Sequence, residues 1–279
     1  MAEEVTIQYE DVHKRFDTPV LSGVSLSVMR GETISILGTS GTGKSVLLKT
    51  TIGLITPDRG DVKIDGVSVY QSDAKEVRRL RHMVRYVFQY AALFDSLNIY
   101  DNVAMGLDPE TIRSLDKKTM LDRIASSLEN VNLDPAKVLS KLPAELSGGM
   151  RKRVGLARAT VGEPQIILYD EPVTGLDPVN AATVNRLIMS IAERTKVTSI
   201  VVTHDVPGAL EMSHRVALLD NGKLRFVGSP DDFRRSEDPL VMAFADRDAA
   251  ARAALKLIEH ETNDDDNESG TPHAVSIGV

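Results

Sequence analysis

The stretch that decides the fold is Gly38-Thr39-Ser40-Gly41-Thr42-Gly43-Lys44-Ser45, which matches the pattern G-x-x-x-x-G-K-[ST]. It lies between the apolar run 33–37, a predicted strand, and residues 44–54, whose apolar side chains have helical spacing. Glycines in such a turn let backbone N–H groups surround phosphate oxygens, and the helix N-terminus adds partial positive charge. We therefore predict a phosphate-binding loop in which Lys44 reaches the β- and γ-phosphates of a nucleotide and the Ser45 hydroxyl ligates Mg²⁺.

A pair of acidic residues follows a second apolar run, in Ile166-Ile167-Leu168-Tyr169-Asp170-Glu171. Asp170 stands where the predicted strand ends, a position suited to hold Mg²⁺ through water. Glu171 is placed to orient and deprotonate an attacking water. Two acids after a strand are common on their own, but together with the phosphate-binding loop they predict a nucleotide-hydrolysing site.

The rest of the hydrophobic pattern predicts an α/β protein. Residues 5–28 largely alternate apolar and polar side chains, which is typical of strands with one solvated face. Later apolar runs are separated by helical stretches such as 181–193, and this alternation implies a parallel sheet covered on both faces. The predicted strands after the phosphate-binding loop are residues 61–66, 84–88, 166–169, 198–202 and 216–219.

The chain is expected to divide into three parts. Residues 1–235 form the catalytic domain, with an inserted helical subdomain at about 90–160, where the sequence shows no convincing strand. Residues 236–262 form a C-terminal helical extension, and 263–279 are too polar and acidic to bury a core and are expected to be disordered.

Composition excludes several function classes. The formal charge is −7, and the 10 acids and 3 bases from Ser236 onward account for all of it, so residues 1–235 are neutral overall and not polybasic. The absence of Cys excludes disulfides and thiolate metal sites and fits a reducing compartment. We see neither a membrane-spanning run nor a signal sequence, so the chain is expected to be soluble and cytosolic.

A further motif is Leu146-Ser147-Gly148-Gly149-Met150, whose serine lies 23 residues before Asp170 (170 − 147 = 23). It resembles the signature of ABC (ATP-binding cassette) ATPases. Alone it fits a helix-capping turn with Ser147 as N-cap. The order of phosphate-binding loop, Gln89, signature, Asp170-Glu171, Asp177 and His204 matches that family across about residues 5–230. The resemblance implies an ABC nucleotide-binding domain of the P-loop NTPase fold, with a mixed, mainly parallel sheet, an antiparallel β subdomain and an inserted helical subdomain.

The resemblance also implies an ATPase that uses ATP and Mg²⁺ and works as a head-to-tail homodimer. In such a dimer Ser147 and Gly149 of one subunit face the γ-phosphate bound by the other. Catalytic roles fall to Glu171, His204, Gln89 and Lys44, with Ser45, Gln89 and Asp170 at the metal. The expected nucleotide contacts are Phe16, Gly38, Thr39, Ser40, Gly41, Thr42, Gly43, Lys44, Ser45, Val46, Gln89, Ser147, Gly148, Gly149, Asp170, Asp177 and His204.

Two of these assignments keep an alternative. Phe16 fits the aromatic side chain that stacks on adenine, and Tyr9 is its rival. The basic cluster Arg151-Lys152-Arg153 after the signature is either a solvated helix face or a source of positive field at the ATP interface. Met150 departs from the Gln that many cassettes have, and Phe16 from the more common Tyr, but neither change removes a group needed for hydrolysis.

Three stretches point to one branch of the family: Val46 after the phosphate-binding loop, residues 88–103 (F-Q-Y-A-A-L-F-D-S-L-N-I-Y-D-N-V), and Met150 followed by bases. Together they resemble the ATPases of Mla/Mce-type systems, which move phospholipid between bacterial inner and outer membranes. That resemblance implies integral membrane permeases of the MlaE type, an MCE-domain substrate-binding protein, no nucleic-acid partner, and a peripheral location on the cytoplasmic side of the inner membrane. Residues 91–97 would line the groove for the permease coupling helix, and residues 239–258 of the C-terminal extension would brace the dimer.

Other cassettes remain as alternatives. An amino-acid importer, a lipoprotein exporter or a regulator of a membrane complex would keep every hydrolysis motif. DNA-repair and ribosome-acting cassettes are disfavoured, because they carry long insertions or two cassettes in one chain.

Overall fold

The computed structural model describes residues 4–246 and residue 248. The strands are β1 (Val5–Arg15), β2 (Pro19–Met29), β3 (Thr33–Leu37), β4 (Arg59–Ile64), β5 (Val67–Ser68), β6 (Val84–Val87), β7 (Ile166–Asp170), β8 (Thr198–Val202), β9 (Arg215–Asp220) and β10 (Lys223–Gly228). The helices are α1 (Lys44–Thr51), α2 (Ala74–Met83), α3 (Ile99–Ala104), α4 (Pro109–Ser114), α5 (Lys117–Glu129), α6 (Pro135–Val138), α7 (Gly148–Thr160), α8 (Pro178–Thr195), α9 (Val206–Met212) and α10 (Pro230–Arg234).

Six strands form the central sheet, in the order β10-β9-β3-β8-β7-β6. The strands β9, β3, β8, β7 and β6 run parallel to their neighbours, and β10 pairs antiparallel with β9. Because parallel strands end at the same edge, the segments that follow β3, β6, β7 and β8 meet at the carboxyl edge of this sheet. The predicted phosphate-binding loop, Gln89, the acidic pair and His204 all belong to those segments.

Strand β7 shows why its apolar run has no polar alternation. Ile166 and Leu168 pack into the core shared with α1 and the antiparallel sheet, whereas Ile167 and Tyr169 pack into the core of the helical region. Successive side chains of a strand point to opposite faces, so a strand between two cores must be apolar throughout. This burial fixes the strand end that carries Asp170.

A second sheet of four antiparallel strands, in the order β2-β1-β4-β5, covers one face of the central sheet. Strands β1 and β2 together occupy most of residues 5–28, as the sequence pattern predicts, and register irregularities interrupt their pairing. The turn that joins them carries Phe16.

Between β6 and β7 the chain is helical, from α3 to α7, and no strand is present in that described stretch. The first of these helices begins at Ile99, so the first residues of the helical subdomain expected at about 90–160 are not helical. Ala91 and Ala92 adopt left-handed backbone conformations (φ 60° and 46°), which a continuous right-handed helix does not contain. Residues 88–98 therefore form an irregular segment in front of the helical region.

A last helix begins at Pro239, and its described residues are 239–246 and 248. Val241 and Phe244 are buried beside Phe233 and Leu218, at the edge of the central sheet. The predicted acidic tail and most of the predicted C-terminal helix lie outside the described residues. Within the described part of the chain, no helix has the length and apolarity needed to cross a bilayer.

Candidate functional site

The loop from Gly38 to Gly43 joins β3 to α1, and its conformation depends on glycine. Gly43 has φ +100°, and a Cβ atom there would lie 2.7 Å from the Val20 carbonyl oxygen of β2. Gly41 has φ +84°, also in the left-handed region that side chains disfavour. The loop therefore turns tightly at the N-terminus of α1, where partial positive charge favours an anion.

Lys44 projects back across this loop. Its buried ammonium donates hydrogen bonds to the carbonyl oxygens of Gly38 (2.8 Å) and Thr39 (3.0 Å) and lies 3.8 Å from Oε1 of Glu171. Burial lowers the pKa of Lys44, and the nearby carboxylates of Glu171 and Asp170 act in the opposite direction. The loop thus contains a fixed cation at its centre.

Ser45 and Asp170 meet although they are 125 residues apart in sequence. The Ser45 hydroxyl donates to Oδ1 of Asp170 at 2.6 Å, and the Tyr86 hydroxyl donates to Oδ2 at 2.6 Å. Burial and the hydrogen bond to Asp170 raise the pKa of Tyr86, so the phenol stays protonated as a donor. A hydroxyl and a carboxylate side by side match the hard oxygen ligands that Mg²⁺ prefers, so these residues fit the predicted ion.

Glu171 and His204 form the second half of this cluster. Oε2 of Glu171 contacts Nδ1 of His204 at 2.7 Å and accepts from the Thr174 hydroxyl at 3.1 Å. The carboxyl side chain is 13% exposed and the imidazole 60%, so the pair opens toward solvent on the histidine side. Glu171 has a left-handed backbone (φ 50°), an unusual conformation for a non-glycine residue.

Gln89 follows β6 and is half-buried. Its backbone carbonyl accepts a hydrogen bond from Nζ of Lys152 on α7, and that ammonium also reaches the Glu171 carbonyl oxygen at 3.5 Å. Lys152 is only 8% exposed, so for this residue the solvated-face alternative is wrong. Two backbone carbonyls solvate its charge in the interior, whereas Arg153 bonds the Asn132 carbonyl oxygen elsewhere on the surface.

The signature residues lie at the N-terminus of α7. The exposed Ser147 is the N-cap of this helix and accepts from the Met150 amide at 3.2 Å. Gly149 packs against Asn180 of α8, and a Cβ atom there would lie 2.7 Å from the Asn180 amide oxygen. The signature turn therefore contacts the first turn of α8, which Asp177 caps.

Asp177 caps α8 in the same way. Its carboxylate accepts from the backbone amides of Val179 (3.1 Å) and Asn180 (3.0 Å) and from the Asn180 side chain (2.5 Å). The Asn180 side chain and these amides lower the pKa of Asp177. A capped, charged carboxylate therefore stands beside the signature turn.

The two aromatic candidates for adenine stacking differ in burial. Tyr9 is buried in the core with its hydroxyl 2.5 Å from Oγ1 of Thr51, so the alternative of Tyr9 as an adenine-stacking side chain is wrong. Phe16 is 55% exposed, and the Lys14 ammonium lies 5.4 Å from its ring centroid. An exposed ring of this size is available for stacking.

The structure brings the candidate residues together in two groups. The first, at the carboxyl edge of the central sheet, contains Lys44, Ser45, Asp170, Glu171 and His204. The second contains the signature residues 147–149 and Asp177. In residues 4–246, no hydrogen bond or ion pair joins the two groups. Four other predicted contacts lie around the first group. Thr39 and Ser40 are exposed at the loop, and the Thr42 hydroxyl donates to the Thr39 carbonyl oxygen. Val46 packs on the core shared by α1 and the antiparallel sheet.

Sequence reasoning missed two residues of this region, Tyr86 and Lys152. Tyr86 lies within a predicted strand, but its partner could be found only if β6 were known to pair with β7. Lys152 was noticed only as part of a basic cluster, and its burial follows from the packing of α7 against β6 and the segment after it.

Comparison with known proteins agrees with this architecture. Residues 21–174 match the family described as ABC transporter. A probable ribonucleotide transport ATP-binding protein, Mkl, from Mycobacterium leprae is 40% identical over 241 residues, which cover 86% of this chain and 68% of that protein. A sulfate/thiosulfate import ATP-binding protein, CysA, from Bradyrhizobium diazoefficiens is 38% identical over 83% of this chain and 66% of its own length. The chain thus spans about two thirds of these relatives.

Two solved structures share the fold. CbiO1 from Clostridium perfringens, part of the cbiONQ transporter complex, has a TM-score of 0.76 and 26% identity over 94% of this chain and 100% of that one. The ATP-binding cassette MJ0796, in a dimeric post-hydrolysis state bound to ADP and Pi, has a TM-score of 0.72 and 28% identity over 80% of this chain and 98% of that one.

Proposed function

The chain belongs to the ABC transporter family and is an ATPase that uses ATP and Mg²⁺, and from that premise we propose that it drives phospholipid transport between bacterial inner and outer membranes. The observation that carries the proposal is the segment 88–103, whose sequence resembles Mla/Mce-type ATPases and which leaves large apolar side chains at the surface.

In the proposed hydrolysis step, the γ-phosphoryl group of ATP is transferred to water. Lys44 neutralises charge on the β- and γ-phosphates held by the loop, and Ser45, Asp170 and Gln89 would hold Mg²⁺. When bound, the ion neutralises further charge on the same phosphates. Glu171 accepts a proton from the attacking water. The water oxygen bonds to the γ-phosphorus, and the bond between that phosphorus and the ADP oxygen breaks.

His204 is proposed to support this step from the exposed side of the site. Its Nδ1 is already held by Glu171 at 2.7 Å, so the contact fixes the imidazole at the mouth of the loop. From there the ring is placed to contact the γ-phosphate, while the carboxylate keeps its direction toward the water.

The functional unit is proposed to be a homodimer. Ser147 and Gly148 of the signature turn are exposed, whereas Gly149 is buried against Asn180 of α8, so the first two residues are accessible to a triphosphate held by the loop of a second copy. A Ser-Gly-Gly turn at a helix N-terminus attracts anions, and ATP would then join two positive helix ends. The dimeric state of MJ0796 supports this arrangement.

The membrane partner is proposed to bind at the segment that follows β6. Phe88, Tyr90 and Phe94 are exposed there, with Tyr90 82% exposed. Single exposed apolar residues are common, but three within one short irregular segment form a surface suited to a protein helix. We assign this surface to an MlaE-like permease that works with an MCE-domain protein, which places the chain at the cytoplasmic face of the inner membrane.

The proposal is tested by purifying the tagged full-length chain from its own cells with its membrane partners. We expect a permease and an MCE-domain protein to co-purify, and mass spectrometry of the extract to find phospholipid. The complex is then reconstituted in vesicles, and ATP hydrolysis is measured with phospholipid, ribonucleotide or sulfate. Stimulation by ribonucleotide or sulfate alone, as the names of Mkl and CysA suggest for those relatives, would contradict lipid transport. A partner without transport activity would instead indicate a regulator of a membrane complex.

A further inference from the structure

Lys152 occupies an unusual place for a lysine. It lies on the signature helix α7, one turn after the capping serine, and its ammonium is inside the protein. The two oxygens it reaches are backbone carbonyls, of Gln89 and of Glu171. Since a buried charge needs polar partners, these two contacts hold the ammonium in the interior.

The same face of α7 also contacts Ala91 and Ala92 in the segment after Gln89. Gly155 packs against Ala91, and a Cβ atom added to this glycine would lie 3.4 Å from the Ala91 Cβ atom. Arg158 donates to the Ala91 carbonyl oxygen at 2.6 Å and to the Ala92 carbonyl oxygen at 2.8 Å. Positions three apart on a helix share a face, so Lys152, Gly155 and Arg158 form one continuous contact.

Glu171 is held from two directions. Its amide donates to the Val202 carbonyl oxygen of β8 at 2.8 Å, and its own carbonyl oxygen accepts from the Thr174 amide at 3.3 Å and lies 3.5 Å from the Lys152 ammonium. Its left-handed backbone needs such support, because a non-glycine residue adopts this conformation only when its surroundings impose it. Burial lowers the pKa of Lys152, and the Glu171 carboxylate opposes that effect, so the two groups also interact through charge.

We propose that Lys152 is a positioning residue for ATP hydrolysis, which holds the backbone of Gln89 and of Glu171 in fixed relation to the signature helix. Lys152 thereby contacts both the segment proposed to bind the permease and Glu171, the proposed base. The inference rests on the proposed role of Glu171 and adds a residue that the signature motif itself does not contain. Lys152 acts through Glu171 and is not assigned a contact with ATP.

The experiment compares Lys152→Met with Arg153→Met in the full-length protein. Both changes remove a cation from α7, but Arg153 bonds a carbonyl outside the site. We expect K152M to lower kcat for ATP hydrolysis about 10- to 100-fold with KM nearly unchanged, because small misplacement of a reacting group has effects of this size. R153M should stay within about twofold of the unchanged protein in both constants. Thermal unfolding checks that each variant is folded, and K152Q, whose amide is uncharged and one bond shorter, replaces K152M if that variant fails to fold and should show the same fall in kcat with KM nearly unchanged.

A second measurement places the two residues in one pathway. In the Glu171→Gln background, where slow hydrolysis is followed over hours, K152M should lower the rate no further. Equal kcat values for K152M and R153M, a rise in KM alone, or an undiminished effect in the E171Q background would overturn the inference. Near-normal hydrolysis by E171Q would instead overturn the assignment of the base, and with it the inference, so the two failures are distinguishable.

Discussion

The carboxyl edge of the central sheet and the signature edge differ in what satisfies their polar groups. At the carboxyl edge, Ser45 bonds Asp170 and Lys44 approaches Glu171, and each of these pairs joins residues more than a hundred positions apart. At the signature edge, Ser147 and Asp177 bond backbone amides only two or three residues away, on their own helices.

This difference shows which half of the site a single chain completes. Long-range contacts among buried groups exist only when the whole fold is formed, so the first edge is preorganised by folding. Local caps form on any helix and leave their outer side to solvent. The signature edge is therefore a prepared surface, and on the proposed function its missing half is the nucleotide of a second copy.

The sharpest test of the carboxyl edge is Lys44→Ala. The change removes the buried cation from the loop, so we expect ATP hydrolysis to fall about 10³-fold or more and nucleotide binding to weaken strongly. Binding is measured by isothermal titration and hydrolysis by phosphate release. Lys49→Ala on the same helix is the control, and it should bind ATP normally. Retained ATP affinity in K44A would contradict the assignment of the loop.

Glu171→Gln separates binding from chemistry at the same edge. The amide keeps the size of the side chain but cannot take a proton, so turnover should fall about 10²- to 10⁴-fold while ATP affinity is kept. The protein should then accumulate as an ATP-bound dimer, seen by light scattering. Hydrolysis near the normal rate would show that Glu171 is not the base.

Ser147→Glu in the E171Q background tests the signature edge. A carboxylate placed against the triphosphate of a second copy is repelled, so the ATP-dependent dimer should weaken by at least about tenfold while each chain still binds ATP. Ser229 offers a matched control, because it is also a helix N-cap, on α10. S229E should leave the dimer intact. A normal dimer in the S147E variant would remove the signature edge from the interface.

Much of the central sheet could be predicted from sequence because its strands are buried between two cores. Residues Thr33–Leu37 and Thr198–Val202 were predicted with the bounds that the structure gives, since each is a mostly apolar run in which every residue is buried. Strand β10 was missed, because it lies at the sheet edge and alternates only exposed and half-buried residues. An edge strand without a buried face leaves a weak hydrophobic pattern.

The site was predictable in residue type but not in geometry. The motifs predicted Lys44, Ser45, Asp170, Glu171 and His204 as one site, and their contacts follow once the parallel strand order is known. Lys152 could not be found in this way, because nothing in a run of three bases says which one faces inward. Packing of α7 against β6 and the segment after it decides that point.

The smallest expected effect belongs to Phe16, which lies in the turn between β1 and β2, outside both edges. Stacking of a base on an exposed ring contributes about 0.5–1.5 kcal/mol, so Phe16→Ala should raise KM for ATP about three- to tenfold with kcat nearly unchanged. Phe16→Trp keeps a stacking face and should retain a normal KM. Because stacking does not depend on base identity, F16A should raise KM for GTP by a similar factor. An unchanged KM would leave the exposed ring without a role in binding and would confine nucleotide recognition to the two edges compared above.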